Sequence, residues 1–485
     1  MSGAPGIISC GLYLPQWRLE RARIADALAW LGPAAKSAVS GSRAVCNWDE
    51  DALTMAVEAG RRCLAGAKSG AAAALSLAST TLPFADRSNA TLVAEALDLP
   101  ERLHTSDHVG SLRAGTSALA DAALRAEQAP TLVIASDARL ARPGSSAEME
   151  YGAGAVAFLV ARDPRASGRE AIATLSAAAH LSADFVDHYR MSGEVFDYAL
   201  EDRWLRDEGI AKLVPQAVSR ALALADLTAA NVDHFAMPGS RRTSSRVAQA
   251  IGLGHARVHE GPREECGDTG AAQPFLLLLS MLAAAVPGQH LLLIGFGQGV
   301  DALVLIAAEG AAELAQRELA QALARRRPEP HYTRYLAHRG LLAPDFGMRA
   351  ERDHRSAQSV AWRKHRELAA FIGGRCTACG AVQFPKSRVC VNPECRRTDT
   401  QTDHRLAETS GRVRSFTEDW LAYTPHPPYI YGNIGLEAGG NLLMELTDVE
   451  PDELEVGAPV RFAFRIKDID RQRAYRRYFW KATRA

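Results

Sequence analysis

The sequence has no excess of either charge: 56 basic and 56 acidic side chains cancel over 485 residues. Without an excess of one sign there is no global field to draw in nucleic acid or an anionic membrane surface. No uninterrupted apolar run reaches the roughly 18 residues needed to cross a bilayer. The longest candidate, 271–286, is broken by Gln273 and Pro274. No basic stretch precedes the first apolar run, so no secretory signal is read there. Cysteine is scarce, eight in all, which argues against a disulfide scaffold and fits a reduced cytoplasm. Familiar catalytic signatures are missing as well. Residues 110–116 have the glycine outline of a phosphate-binding loop, but Thr116 stands where its lysine must be. No dinucleotide glycine fingerprint follows the first apolar run, and neither a Gly-x-Ser-x-Gly elbow nor a His-Glu-x-x-His helix occurs.

What is present is a repeated grammar. Short apolar runs at 7–12, 73–78, 131–136 and 156–160 predict buried strands, with Ala-rich helices at 51–65, 89–97 and 115–127. The pattern returns with strands at 172–179, 232–237, 291–295 and 303–307 and helices at 209–225, 244–251 and 271–285. Buried strands alternating with helices argue a layered α/β architecture, and two passes through the pattern predict two similar halves. We assign them to 1–165 and 166–312, with the junction near Asp163 to Gly168. A helix over 310–327 then leads to Pro328 and Pro330, which mark a boundary. Residues 313–370 read as a helical connector, helical again over 359–371, in which Tyr332, Tyr335, Phe346 and Trp362 are expected to be buried.

At Cys376 the composition changes. Cys376 and Cys379, then Cys390 and Cys395, form two short knuckles separated by ten residues. Zinc requires four soft ligands at tetrahedral positions, and a Cys-x-x-Cys turn aims two sulfurs at one point. The pattern predicts a zinc ribbon over 371–405 with a purely structural ion, because four thiolates leave no open coordination position. A redox dithiol pair, or a site that has lost its metal, is the alternative. Residues 406–485 alternate apolar and polar positions between Gly and Pro punctuation and predict a small β-barrel. Its last run interleaves Arg473, Arg476, Arg477 and Lys481 with Tyr475, Tyr478, Phe479 and Trp480. Two readings stand there, a nucleotide grip and a last barrel strand with one wet face.

Residues 106–120 describe a tight turn entering a buried helix, where free N–H groups and the helix dipole favour a nucleophile or an anion. The turn carries Leu112, whose side chain neither attacks, ionises nor donates.

Several segments together resemble hydroxymethylglutaryl-CoA synthases of the thiolase-like superfamily over about the first 310 residues. They are Gly6 to Pro15, Asp49 to Met55, Ala114 to Thr116, Ala135 to Asp137, Gly152 to Ala155, Asp187 to Arg190 and Gly267 to Thr269. From about residue 360 the chain is similar to the zinc-ribbon and OB-fold family that accompanies thiolase-like proteins. The resemblance implies a five-layered αβαβα fold with two similar halves, followed by the ribbon and an OB-type barrel. It further implies a coenzyme A thioester as substrate, at least a homodimer, and a thiolase or dehydrogenase as a possible partner.

The departures from that family are specific. Its acyl-accepting cysteine falls on Leu112, its catalytic glutamate on Thr80 and its histidine on Ala236, while the asparagine expected before Thr269 is Asp268. Losing the thiolate removes the acyl-enzyme route. Losing the other two removes the acid/base pair of the condensation. Polar groups at positions the family keeps near its active site are Asp137, Asp187, His188, Tyr189 and Asp268, with His188 the preferred acid or base. For Asp137 and Asp187 a structural role as acceptors of N–H bonds stands beside the catalytic one, as does a structural imidazole for His188. Ser111, Arg113 and Gly297 are assigned to binding the CoA thioester. Cys266 reads either as a displaced nucleophile or as a small buried residue.

Three readings of function follow. The first is a C–C lyase or condensing enzyme of aldol or retro-aldol type, acting on a β-hydroxyacyl-CoA without an acyl-cysteine. The second is a non-catalytic, acyl-CoA-binding pseudo-synthase that scaffolds a thiolase. The third is an unusual synthase-like acyltransferase.

Overall fold

The computed structural model describes residues 4–31, 39–67, 71–126, 129–162, 170–351 and 355–485. The predicted junction at 163–168 lies outside the described residues. By internal contacts the chain divides into two units, the first built from Met1–Cys46, Asp51–Thr91 and Leu99–Tyr332, the second from Asn47–Glu50, Leu92–Asp98 and Thr333–Ala485.

The first unit holds a ten-stranded sheet made of two five-strand halves. In chain order one half is Gly6–Tyr13, Ala74–Ala78, His104–His108, Thr131–Ala138 and Ala153–Ala161, and the other is Ala173–Ser182, His234–Ala236, Arg257–His259, His290–Phe296 and Gly299–Ala307. Across the sheet both halves run first, fifth, fourth, second, third. In both, the first–fifth and fifth–fourth neighbours are antiparallel, whereas the fourth–second and second–third neighbours are parallel. The halves meet in a short antiparallel ladder, Gly6 opposite Thr174 and Ile7 opposite Ala173. The repeat inferred from the two passes of apolar runs is therefore a repeat of topology.

In each half a helix follows the third strand: Ala114–Arg125 in the first and Gln273–Leu282 in the second. The second of these is apolar on almost every face and is buried throughout except at Ser280, as a helix enclosed in a core must be. Both helices share one hydrophobic cluster with strands of both halves. Gly115 allows the close approach, since a Cβ there would stand 2.7 Å from the carbonyl oxygen of Ala271. These helices form the inner layer of a thiolase-like α/β fold, and their N-termini begin at the elbow and just after Gly267 to Thr269.

The strand His104–His108 was not anticipated. It is a polar, half-buried strand at one end of the sheet, so it lacks the apolar signature of its buried neighbours. A side sheet of Trp17–Glu20, Ser42–Ala44 and Arg327–Glu329 was likewise missed. Its strands have three or four residues each, too short for a period to register. No described helix is long and apolar enough to cross a membrane.

In the second unit a three-stranded ribbon sheet has Ile372–Cys376 between Val382–Gln383 and Gln401–Arg405. The five other strands lie in the order Asn441–Glu445, Tyr429–Leu436, Gly411–Asp419, Pro459–Asp470, Tyr475–Arg484. A bridge between Leu446 and Ala482 joins the two ends, which is the closure of an OB-type barrel. The basic-aromatic run is thus the last barrel strand. Arg477 pairs with Asp468, Arg473 with Asp470, and Trp480 is buried. The helix expected over 359–371 is interrupted: Gln358–Arg363 and His365–Leu368 are separate, and Phe371 takes a left-handed φ of 55°. That strain places its ring among Phe384, Phe462, Phe479 and Trp480. Tyr332 and Tyr335 are buried as expected, whereas Phe346 is exposed, edge-on to Tyr423, and Trp362 is 72% exposed and lies stacked on His365.

Charge is buried in this unit. Asp49 accepts from Lys481 Nζ at 3.0 Å and Thr447 Oγ1 at 2.8 Å, while Arg465, fully buried, bonds Asp448 at 2.9 Å and Glu50 at 3.2 Å. Removing one member of a buried ion cluster strands the others, at about 3–5 kcal/mol. Arg465→Met should lower the stability of this unit by that amount in denaturant melts followed by tryptophan fluorescence. A loss below about 1 kcal/mol would contradict the role assigned to the cluster.

Candidate functional site

The elbow is built at the end of the strand His104–His108. Gly110 adopts a φ of 83° and the helix begins at Ala114. Ser111 Oγ donates to the Gly297 carbonyl at 2.8 Å, and Arg113 Nε donates to the same oxygen at 3.0 Å. The Arg113 guanidinium continues to Asp301 at 2.8 Å, a fully buried carboxylate that also receives the hydroxyls of Thr116 and Ser117 at 2.8 and 2.7 Å. Residue 297 must be glycine, because a Cβ there would lie 2.7 Å from Ser111 Oγ and 3.1 Å from Leu112 N. The three residues assigned to binding therefore meet, and they lock one another. Leu112 N–H, at the head of the helix, has no hydrogen-bond partner among the described residues.

The same turn reaches the polar hairpin. Gln298, at a left-handed φ of 47°, donates through Nε2 to Asp187 Oδ1 at 2.7 Å. The other oxygen of Asp187 is 2.8 Å from His188 Nδ1. A carboxylate at that distance keeps the proton on Nδ1, so Nε2 carries the free lone pair. Nε2 has no partner among the described residues, and the His188 side chain is 15% exposed. His188 and Tyr189 form one strand of the hairpin, paired with Tyr198 and Ala199. The Tyr189 ring is half exposed and tilted against Tyr198.

Asp137 has the geometry of an anchor. Its two oxygens receive Ser79 Oγ, Thr80 N, Thr80 Oγ1, Thr81 Oγ1 and Ala271 N, all within 2.9 Å. Five donors leave it no free acceptor direction for a substrate proton. Asp268 accepts from Gly270 N–H at 2.9 Å and stands 3.8 Å from Arg263, so one of its oxygens is held only loosely. Cys266 is fully buried, 3.0 Å from the Pro262 carbonyl, and burial pushes its thiol up to about 12. Such a thiol is a packing residue, not a nucleophile.

A charged cluster escaped the sequence reading. Asp197 receives Arg139 at 2.7 Å and Arg190 at 2.9 Å, and Tyr151 lies 3.1 Å away. Burial alone would raise the Asp197 carboxyl; Arg139 and then Arg190 bring it below its usual range. Burial dominates at Tyr151 and pushes its hydroxyl well above normal, against the Arg139 charge. Arg190 also donates to the Thr80 carbonyl. The hairpin carrying His188 is thus pinned to the segment where the family's glutamate would stand. No spacing announces this cluster, since its members lie on the 131–138 strand end, at residue 151 and on the hairpin.

The metal centre is separate. The sulfurs of Cys376, Cys379, Cys390 and Cys395 lie within 4.8 Å of one another. The Cys376–Cys395 and Cys379–Cys390 separations are 3.9 and 3.6 Å. A tetrahedron with zinc–sulfur bonds of about 2.3 Å sets its corners about 3.8 Å apart. The four thiolates therefore fit a structural zinc ion, which would contribute on the order of 10 kcal/mol to so small a module.

Two outcomes follow. Elemental analysis should find about one zinc per chain, and Cys379→Ser should abolish it and lower the melting temperature; a metal-free protein with unchanged melting would contradict the assignment. Iodoacetamide should leave Cys266 unmodified in the native protein and label it after denaturation, and rapid native labelling would restore it as a nucleophile.

Residues 369–401 match the family described as ChsH2, rubredoxin-like zinc ribbon domain, and residues 404–465 match ChsH2, C-terminal OB-fold domain. A hydroxymethylglutaryl-CoA synthase of Methanocella arvoryzae is 29% identical over 308 residues, 61% of this chain and 85% of its own length. Among solved structures, MvaS in complex with 3-hydroxy-3-methylglutaryl coenzyme A superposes with a TM-score of 0.60 at 20% identity, covering 72% of this chain and 94% of that one. FabH from Pseudomonas aeruginosa, a 3-oxoacyl-(acyl carrier protein) synthase III, gives 0.55 at 21% identity over 63% and 99%. At those identities the likeness is one of fold. The chain thus joins a thiolase-fold region similar to hydroxymethylglutaryl-CoA synthases to a C-terminal zinc ribbon and OB fold that match the two ChsH2 domain models.

Proposed function

We propose that the protein cleaves or forms a carbon–carbon bond in a β-hydroxyacyl-CoA by aldol chemistry, without an acyl-enzyme. The observation that carries this reading is the Asp187–His188 pair at 2.8 Å, held by the turn that also holds the elbow. In the cleavage direction His188 Nε2 takes the proton of the β-hydroxyl. The O–H electrons become the new C=O bond of the aldehyde or ketone, the Cα–Cβ bond breaks, and its electron pair passes into the thioester enolate. Leu112 N–H, at the positive end of the Ala114–Arg125 helix, would donate to the enolate oxygen. Return of the proton to Cα gives the shortened acyl-CoA. No step requires a thiolate. That agrees with Leu112 at the acyl-acceptor position and with the unreactive setting of Cys266.

Asp187 orients the imidazole and stabilises its protonated form. Asp268 and Tyr189 remain candidates for proton return and substrate contact. The polar end strand His104–His108 is the proposed surface for a homodimer, following the synthase resemblance.

The test is a panel of β-hydroxyacyl-CoAs followed for release of aldehyde or ketone. His188→Ala should lower turnover about a hundredfold or more, and Asp187→Asn should lower kcat with little change in KM. Wild-type rates in His188→Ala would remove the assignment. An absence of turnover across the panel, with tight acyl-CoA binding and a co-purifying thiolase, would favour the scaffolding role.

A further inference from the structure

The strand Arg257–His259 at the other end of the sheet borders an open cavity of about 730 Å³. None of its lining residues belongs to the elbow, the 297–299 turn or the His188 hairpin. One wall is aliphatic, formed by Ala283, Ala284, Leu319 and Leu323. The lining also includes Arg257 and His259, with Arg241 and Glu260 at 3.2 Å from each other. That pair neutralises itself. Arg257 makes no ion pair among the described residues, so the cavity keeps one unspent positive charge.

The hydrogen-bonding sense of His259 follows from its neighbours. Gln289 Oε1 accepts the backbone N–H of Val286 at 2.9 Å, which fixes that atom as oxygen. His234 Nε2 lies 2.9 Å from the same oxygen and must therefore donate. In neutral His234 the remaining Nδ1 is then an acceptor, and His259 Nε2, 2.9 Å away, supplies its proton. His259 Nδ1 is left as an acceptor with no partner among the described residues, on a side chain only 8% exposed that lines the cavity. Burial, then His234 and Arg257, holds its imidazole down to about 4, so the acceptor persists at neutral pH.

We infer that this cavity binds a hydroxylated aliphatic carboxylate, with the carboxylate against Arg257, the hydroxyl donating to His259 Nδ1, and the chain along Leu319 and Leu323. A plain fatty acid would satisfy the cation and the apolar wall but make no hydrogen bond to His259 Nδ1. A neutral alcohol would leave the arginine unpaired. Only a ligand with both groups uses what the wall offers.

The test is calorimetric titration of the full chain with 3-hydroxyoctanoate and with octanoate, each below its micellar concentration. The hydroxy acid should bind saturably at one site per chain and about tenfold tighter than octanoate, the worth of one added hydrogen bond. His259→Phe should erase that preference. Arg257→Gln, on an exposed residue whose loss leaves the fold intact, should weaken both ligands about tenfold. His188→Ala should bind as wild type. The inference is overturned if 3-hydroxyoctanoate does not saturate, if the two acids bind wild type equally, or if Arg257→Gln binds unchanged. Loss of binding in His188→Ala would place the ligand at the elbow instead and overturn it equally.

Discussion

The carbonyl of Gly297 holds the site together. It receives Ser111 and Arg113 from the elbow, while the next residue, Gln298, holds Asp187 and through it His188. Two segments at least 74 residues apart in sequence, 111–113 and 187–188, are thereby fixed by two consecutive residues, one through its carbonyl and the other through its side chain. The arrangement depends on the absence of a side chain at 297, and on the topological repeat that brings the loop after the strand His290–Phe296 to the N-terminus of the Ala114–Arg125 helix. Elbow glycines and helix heads of this kind favour developing negative charge whether or not a nucleophile sits among them.

The carboxylates of the site separate by how many donors they hold. Asp137 takes five and Asp301 is enclosed by Arg113, Thr116, Ser117 and the imidazole of His180. Asp197 is spent on two arginines. Each fixes an element in place through those partners. Asp187 differs because its only partners are Gln298 and His188, whereas the carboxylate that faces the other imidazole, Asp301 beside His180, also carries Arg113, Thr116 and Ser117. In the proposed reaction, proton transfer would therefore fall to His188.

Much of the architecture was legible in the sequence because it is periodic. Fully apolar strands such as Ala153–Ala161 and the Gln273–Leu282 helix announce burial by composition, and four cysteines in two knuckles announce a zinc site by spacing. Of the site, the elbow was legible through Leu112, and His188 through its place in the 187–190 segment that resembles the synthases. What escaped depends on side-chain partners across the fold. Nothing in the sequence says that Asp197 meets Arg139, or that Asp137 is saturated by threonines 56 and 57 residues away. The polar strand His104–His108 hid for a related reason, since a strand at the end of a sheet needs no alternating apolar face.

Bond cleavage without an acyl-enzyme, as proposed, is read by intact-protein mass spectrometry of the protein quenched during steady turnover of a β-hydroxyacyl-CoA: aldehyde or ketone should accumulate with the mass of the chain unchanged. A chain heavier by one acyl group while product forms would contradict it.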